Sequence, residues 1–390
     1  MHPSEFLKNN NIDPKFVHWA GKKKAPVSYD LYLSEKNFHF GDYLAGSDWW
    51  AELKEHGWQM FKFPRPEKPV EQAKNGLRIL HVSMTPKAYA PARLVDLTNK
   101  YTDHSARFVQ IRTVQGMLGN PLRVQKITGL DNIKQSFDWA NVIHWHGKKI
   151  YARGKIHGWK IDRRHYDKAT VLHYHGTPER ETYTRCQIKR DKLKLLLSTP
   201  EMVPLFLRCQ PMFFPNLIDE VSELYTKRQP VDPESDDPIR VCHHFSLHPS
   251  KKDTDVFQML QRKWQDNGIR IRFSTIGKGN LDEILRERSE NDIVFDHLQG
   301  YYGLISIEAM AQGIVVVNGA SSQTMGYLRS FFGEEPPFVI ANKKNLHDVF
   351  STMTRNRVEE YSQRGIEFMN THWSGQKNIH KLIKIYEELL

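Results

Sequence analysis

The chain has 390 residues, too many for one ordinary domain and suited to two of about 150–200 residues each. Apolar residues make up 39% of it, and 23 glycines bring it near the globular norm, which excludes wholesale disorder. Lys and Arg number 56 against 45 Asp and Glu, a net charge of +11. Three widely spaced cysteines (Cys186, Cys209, Cys242) exclude a disulfide scaffold and suit a reducing compartment.

Residues 1–76 are polar and tryptophan-rich, with a helix expected near Trp49–His56. Pro64, Pro66 and Pro69 close them, so they read as an N-terminal extension. Alternation of strands and helices then begins. Strands are expected at Leu77–Val82, Arg107–Ile111, Val142–Trp145, Ala169–His173 and Lys194–Ser198. A helix is expected over Pro91–Lys100, with proline in its first turn. Such alternation predicts a parallel sheet with helices on both faces, here a first domain over 77–228. Residues 229–238 hold three prolines and four acids and read as a linker.

A second domain follows over 239–372. Its expected strands are Ile239–His243, Ile269–Ile276, Asp292–Phe295, Ile314–Asn318 and Phe338–Ile340. Its expected helices are Thr254–Asn267, Leu281–Arg288, Ser306–Gln312, Leu346–Arg355 and Val358–Thr371. Residues 373–390 form a closing amphipathic helix. The first residues lack the basic and apolar regions of a signal peptide, and no apolar run approaches the roughly 20 residues of a membrane-spanning helix. A cytoplasmic protein is expected, with peripheral contact to an anionic membrane face left open.

The charge is unevenly placed. Up to Pro238 there are 37 basic and 27 acidic residues; from Ile239 onward there are 19 and 18. The densest stretch, Lys148–Lys168, holds Lys148, Lys149, Arg153, Lys155, Lys160, Arg163 and Arg164, interleaved with Tyr151, Trp159 and Tyr166. Lys148, Lys149, Arg153, Lys155, Trp159, Arg163 and Arg164 are the candidate contacts to an anionic acceptor. The competing reading is a solvated basic face whose aromatics merely pack.

The most informative segment runs from Asp296 to Val317, DHLQGYYGLISIEAMAQGIVVV. A strand ends in a glycine-containing loop, and a helix begins near Leu304. Gly303 lets backbone approach a ligand, and the helix N-terminus offers N–H groups to an anion. Gly313 ends the helix before a buried strand.

This segment resembles the donor-binding signature of the retaining GT-B glycosyltransferases, with the specific match running from Gly303 to Val317. The looser resemblance spans about Leu77 to Leu390 and leaves out residues 1–76. It implies an α/β protein of two doubly wound Rossmann-like domains facing each other across a cleft, with the closing helix crossing back to the first. It implies that Glu308 holds the nucleotide ribose, that the amides of Gly303 and Leu304 face the donor phosphates, and that Lys252, or Lys251 in its place, neutralises the diphosphate. His175 corresponds to the histidine beside the reacting sugar. Two positions depart from the pattern. The acid eight residues before the glutamate falls on Gly300, with Asp296 as a substitute carboxylate. The diphosphate-binding arginine falls near Ser246, where His244 or His248 could compensate.

Two constellations have competing readings. His144-Trp145-His146 and His173-Tyr174-His175 each place two histidines on one face of a strand, a spacing that can hold zinc and would suit a metallohydrolase. The preferred reading is that one histidine of each pair is packed and the other faces the cleft. Asp253-Thr254-Asp255 opens a helix, so N-capping is preferred to metal binding.

The resemblance thus implies a nucleotide-sugar-dependent, retaining glycosyltransferase that needs no metal or other cofactor, because cationic side chains and helix dipoles meet the diphosphate charge. The expected acceptor is a phosphate-bearing cell-envelope glycan or its lipid-linked precursor. DNA with a hydroxylated base is the alternative, and a non-catalytic nucleotide-sugar-binding protein is a further one.

Overall fold

A computed structural model describes residues 76–390 apart from 86–88, 113–123, 125, 128, 148–150, 152–153, 177–192, 231, 233, 245–252, 266–270 and 278. The N-terminal extension with its Trp49–His56 helix, Lys148, Lys149, Arg153, Ser246, His248, Lys251 and Lys252 lie outside the described residues. Residues 72–390 form one compact unit.

The first half of that unit runs β1 (Arg78–Ser83), α1 (Ala90–Tyr101), β2 (Ser105–Gln110), β3 (Lys126–Ile127), α2 (Leu130–Trp139) and β4 (Val142–His146). It continues with β5 (Lys155–Ile156), β6 (Trp159–Lys160), α3 (Arg163–Tyr166), β7 (Ala169–Tyr174), β8 (Leu193–Leu197), a 3₁₀ helix over Pro200–Cys209, and β9 (Met212–Phe213). Seven strands make one all-parallel sheet in the order β3-β2-β1-β4-β7-β8-β9, and β5 and β6 form a separate hairpin. The central strands β4 and β7 are buried throughout, as expected of parallel strands covered on both faces.

The second half runs β10 (Ile239–His244), α4 (Thr254–Gln265), β11 (Ile271–Ile276), α5 (Leu281–Ser289), β12 (Ile293–Phe295), α6 (Leu304–Ala311) and β13 (Val315–Asn318). It ends with α7 (Ser322–Phe332), β14 (Val339–Ile340), α8 (Leu346–Ser351), α9 (Arg355–Thr371) and α10 (Gly375–Glu387). Its five parallel strands lie in the order β11-β10-β12-β13-β14. Strand order reverses between β1 and β4 in the first sheet and between β10 and β12 in the second. In open parallel sheets ligands bind at the carboxyl ends beside such reversals.

Helix starts follow local chemistry. Asn280 and Glu283 form a reciprocal capping box on α5, and Ser321, Thr354 and Ser374 accept from the first turns of α7, α9 and α10. Helix α7 was not expected, because Gly319, Ser321, Ser322 and Gly326 read as loop. Its Met325, Leu328 and Phe332 nevertheless bury one stripe.

The two sheets share one apolar core. Trp373 and Tyr386, both fully buried, belong to it together with Leu97, Phe214 and Ile218 of the first half. Helix α10 lies against the first half: the Gly375 amide donates to Glu220, and a Cβ at Gly375 would stand 2.1 Å from the Ile218 carbonyl oxygen. Only glycine permits that approach. The carboxyl-end loops of the two sheets also meet, with Tyr302 Oη donating to the Ser198 carbonyl.

Candidate functional site

At the carboxyl end of the second sheet, Glu308 lies in the middle of α6 with only 4% of its surface exposed. Its carboxylate is held by two guanidiniums. Arg93, from α1 of the first half, donates to Oε1, and Arg288, from α5, donates to Oε2 at 3.0 Å. Burial pushes the Glu308 carboxyl up, but the two arginines outweigh it and hold it below the ordinary carboxylate range. The group is therefore an anion at neutral pH.

Two cations on one anion leave a surplus. Among the described residues, Arg93 Nε and Nη1, Arg288 Nη1 and the Tyr225 hydroxyl are all buried without a hydrogen-bond partner. Arg288 Nε also donates to His244 at the end of β10, at 2.9 Å. The sequence reading missed Arg93 and Arg288. Arg288 thus brings a guanidinium to His244, two residues before Ser246 in the sequence, where the resembled pattern expects an arginine. The available signal was an arginine at the inward end of an amphipathic helix.

Other expected donor contacts are arranged differently. Asp296 Oδ2 accepts from the Gly303 amide at 2.6 Å and from Ser306 Oγ at 2.9 Å, and Asp296 is fully buried. Its carboxylate complements the positive end of α6. Asp296 therefore does not stand in for the missing acid, and the Gly303 amide is already engaged. Leu304 is half-buried behind it. Gly300 has φ 82° and its carbonyl accepts from Ser321 and Thr324, so the position is a tight turn that favours glycine. The expected Asp253 cap is also revised. Its carbonyl accepts the first helical bond of α4, but its side chain reaches across to the Leu298 amide at 2.7 Å.

At the carboxyl end of the first sheet, parallel register aligns histidines. His81 pairs with His144, and His146 with His173, on one face of β1, β4 and β7. His175 follows just beyond β7. The five rings form one connected set of contacts: His144 stacks on His146 at 4.3 Å between centroids, and His173 lies 4.2 Å from His175. Both histidines of the first pair are buried, so the reading in which one of them faces the cleft is corrected. His173 is buried and His175 half-buried. Tyr386 of α10 meets His144 Nδ1 at 2.6 Å.

One tautomer set satisfies the hydrogen bonds that link His81, His146, His175 and Asn216. Asn216 Oδ1 accepts from His175 Nδ1 at 3.2 Å, so His175 Nε2 accepts from His146 Nδ1 at 2.8 Å. His146 Nε2 then accepts from His81 Nδ1 at 2.9 Å. Burial pushes the His81 and His173 imidazoles down to about 3, and His144 and His146 well below their ordinary value, so these four rings are neutral at physiological pH.

The basic stretch is partly absorbed by packing. Lys168 donates to three carbonyls at the end of α2, and Arg164 pairs with Asp138 and Asp162. Trp159 is half-buried and edge-on to Phe137 and His165, while Tyr151 and Tyr166 pack on Trp145. Lys155, Lys160 and Arg163 remain exposed. The aromatics thus follow the packing reading.

No protein-family model matches the sequence, and no curated protein matches it. Solved structures do match in fold. HepE of Anabaena, solved with UDP and glucose, aligns over 80% of this chain and 100% of its own at TM-score 0.54 and 14% identity. An alpha-glucosyltransferase in complex with UDP and a 13-mer DNA containing a HMU base aligns over 80% and 100% at TM-score 0.52 and 9% identity. Sucrose-phosphate synthase from Thermosynechococcus elongatus aligns over 80% and 99% at TM-score 0.50 and 11% identity.

This chain has the GT-B fold. Its two parallel sheets and their covering helices are those of the glycosyltransferases it superposes on. Among the described residues, no helix is long and apolar enough to cross a membrane.

Proposed function

We propose that the chain is a glycosyltransferase that takes its sugar from a nucleotide-sugar donor held at Glu308. The carrying observation is the set of buried, unpartnered donors on Arg93, Arg288 and Tyr225 around one carboxylate. Such groups cost free energy when left unpaired, on the order of 1–3 kcal/mol each. An anionic ligand bearing hydroxyls would satisfy them. The Glu308 oxygens keep lone pairs for ribose hydroxyls, and the surplus guanidinium protons suit phosphate oxygens.

Breaking a sugar–phosphate bond builds charge on the departing diphosphate. Arg288 and Arg93 would share its stabilisation with Lys251, Lys252 and the start of α6, with no metal required at the diphosphate. His175, at the carboxyl end of the first sheet, would form the wall beside the transferred sugar. The resemblance noted above implies retention at the anomeric carbon. UDP-glucose is the first donor to try, since HepE was solved in complex with it.

For the acceptor, a phosphate-bearing glycan or lipid-linked precursor fits the exposed cations Lys155, Lys160 and Arg163. DNA is the second reading, favoured by the same fold occurring in a glucosyltransferase solved with DNA. The packing of Trp159 leaves that ring edge-on in the protein rather than offered as a stacking platform. The test is release of nucleoside diphosphate from a panel of nucleotide sugars, followed by mass spectrometry of glycan and DNA acceptors. Release with a mass gain on either acceptor class supports transfer. No turnover of any donor would reduce the chain to a binding protein.

A further inference from the structure

We propose that His146, His173 and His175 hold one transition-metal ion of the zinc class, with a coordination position left for water or a ligand oxygen. One ring nitrogen from each of the three lies within 4.8 Å of the others. They sit at the carboxyl ends of β4 and β7, beside the strand-order reversal where ligands of such sheets bind.

Three observations support the assignment. The first is the donor chemistry. Every donor in the cluster is imidazole, which suits zinc, copper or nickel and not magnesium or calcium.

The second is orientation. Metal-bound histidines usually donate their other ring N–H to a carbonyl or similar partner. His175 Nδ1 donates to Asn216 Oδ1, which turns Nε2 toward His146 and the middle of the trio. His146 Nε2 faces His81 Nδ1, leaving Nδ1 for the ion. Among the described residues, His173 has no hydrogen-bond partner of good geometry at either nitrogen, although the Phe214 backbone lies close enough to influence it. A ring with so little bonding at 1% exposure is unusual for a polar group packed only for structure.

The third is access. A second trio, His81, His144 and His146, also converges, but all three rings are buried. A dication among neutral ligands there would bear the full cost of leaving water. The outer trio is half-open at His175. Three protein ligands and an open position are the arrangement of catalytic rather than structural zinc.

Binding balances without loss of a proton. The His146 proton moves from Nδ1 to Nε2, the His81 proton moves from Nδ1 to Nε2, and the nitrogens of His146 and His175 now 2.8 Å apart separate around the ion. His175 would then meet the ligand through the ion it helps to hold. The inference rests on the first sheet alone and stands whether or not the chain transfers sugar.

The test uses the full chain, stripped with a chelator, loaded with Zn²⁺ or Co²⁺ and freed of excess. The expected result is one tightly held metal per chain and a cobalt visible spectrum of low-coordinate, nitrogen-ligated type. His173→Ala and His175→Ala should each weaken retention by at least about 100-fold, and Asn216→Ala by about 10–100-fold. His347→Ala, at a surface histidine, should retain the metal. His175→Ala is half-exposed and keeps the test alive if His173→Ala does not fold. No retained metal in the wild type, or equal retention in His175→Ala, would overturn the proposal.

Discussion

The two sheets reverse strand order in the same way, yet their carboxyl ends carry opposite chemistry. The first presents five imidazoles, of which His81, His146 and His175 are joined by hydrogen bonds. The second presents one carboxylate between two guanidiniums, with protons to spare. A neutral, lone-pair-rich end can accept a cation or orient a hydroxyl; a cation-rich end can take an anion. Under the proposed function, the first end would face the reacting sugar and the second the nucleotide.

The largest expected effect separates the two ends. His175→Ala should lower transfer by about 10²–10⁴-fold while donor affinity stays within about twofold, measured by turnover and by equilibrium binding. Equal losses in both would mean that the ends are not distinct.

Glu308→Gln is the complementary change. It leaves two buried guanidiniums without their anion and should cost about 3–5 kcal/mol of stability in denaturant melts, together with donor binding. Because Arg93 and Arg288 depress the Glu308 carboxyl in the folded state, its contribution is present above the unfolded value of about 4.3. It is lost as pH falls through the folded value. The gap between wild type and Glu308→Gln should therefore close in acid, and a gap that widens there would contradict the pairing.

A smaller effect tests the joint between the halves. Gly375→Ala forces a methyl against the Ile218 carbonyl and should cost about 1–3 kcal/mol, with donor affinity retained if α10 shifts as a body. The smallest concerns Asp96, about one turn along α1 from Arg93. Burial, then the charge of Asp219, raises the Asp96 carboxyl to about 6. Its folded value lies above the unfolded one, so its favourable contribution is present below about pH 4 and lost as pH rises through about 6. Asp96→Asn should stabilise the chain above pH 6 by about 1 kcal/mol and not at pH 4.

Much of the fold was legible because strand and helix periods and cap residues act locally. The strands holding the histidines were placed within a residue or two, since continuous apolar runs mark buried parallel strands. The expected Ala169–His173 strand, for instance, extends one residue further, to Tyr174. The loop-to-helix passage at Gly303 was legible for the same reason. What sequence could not show was convergence. His81 lies 63 residues before His144, and only parallel register brings their rings together. Arg93 reaches Glu308 across 215 residues. Asp296 was misread because a carboxylate near a binding loop can serve a ligand or the helix beside it, and only geometry decides.

The central claim is that Glu308 and its two arginines form the nucleotide-sugar site. Its most direct measurement is a calorimetric titration of UDP-glucose and other nucleotide sugars into the wild type and into folded Glu308→Gln and Arg288→Ala. Saturable binding of at least one donor to the wild type, weakened at least about tenfold in both variants, is the predicted result. Unchanged donor affinity in the two folded variants would contradict the account.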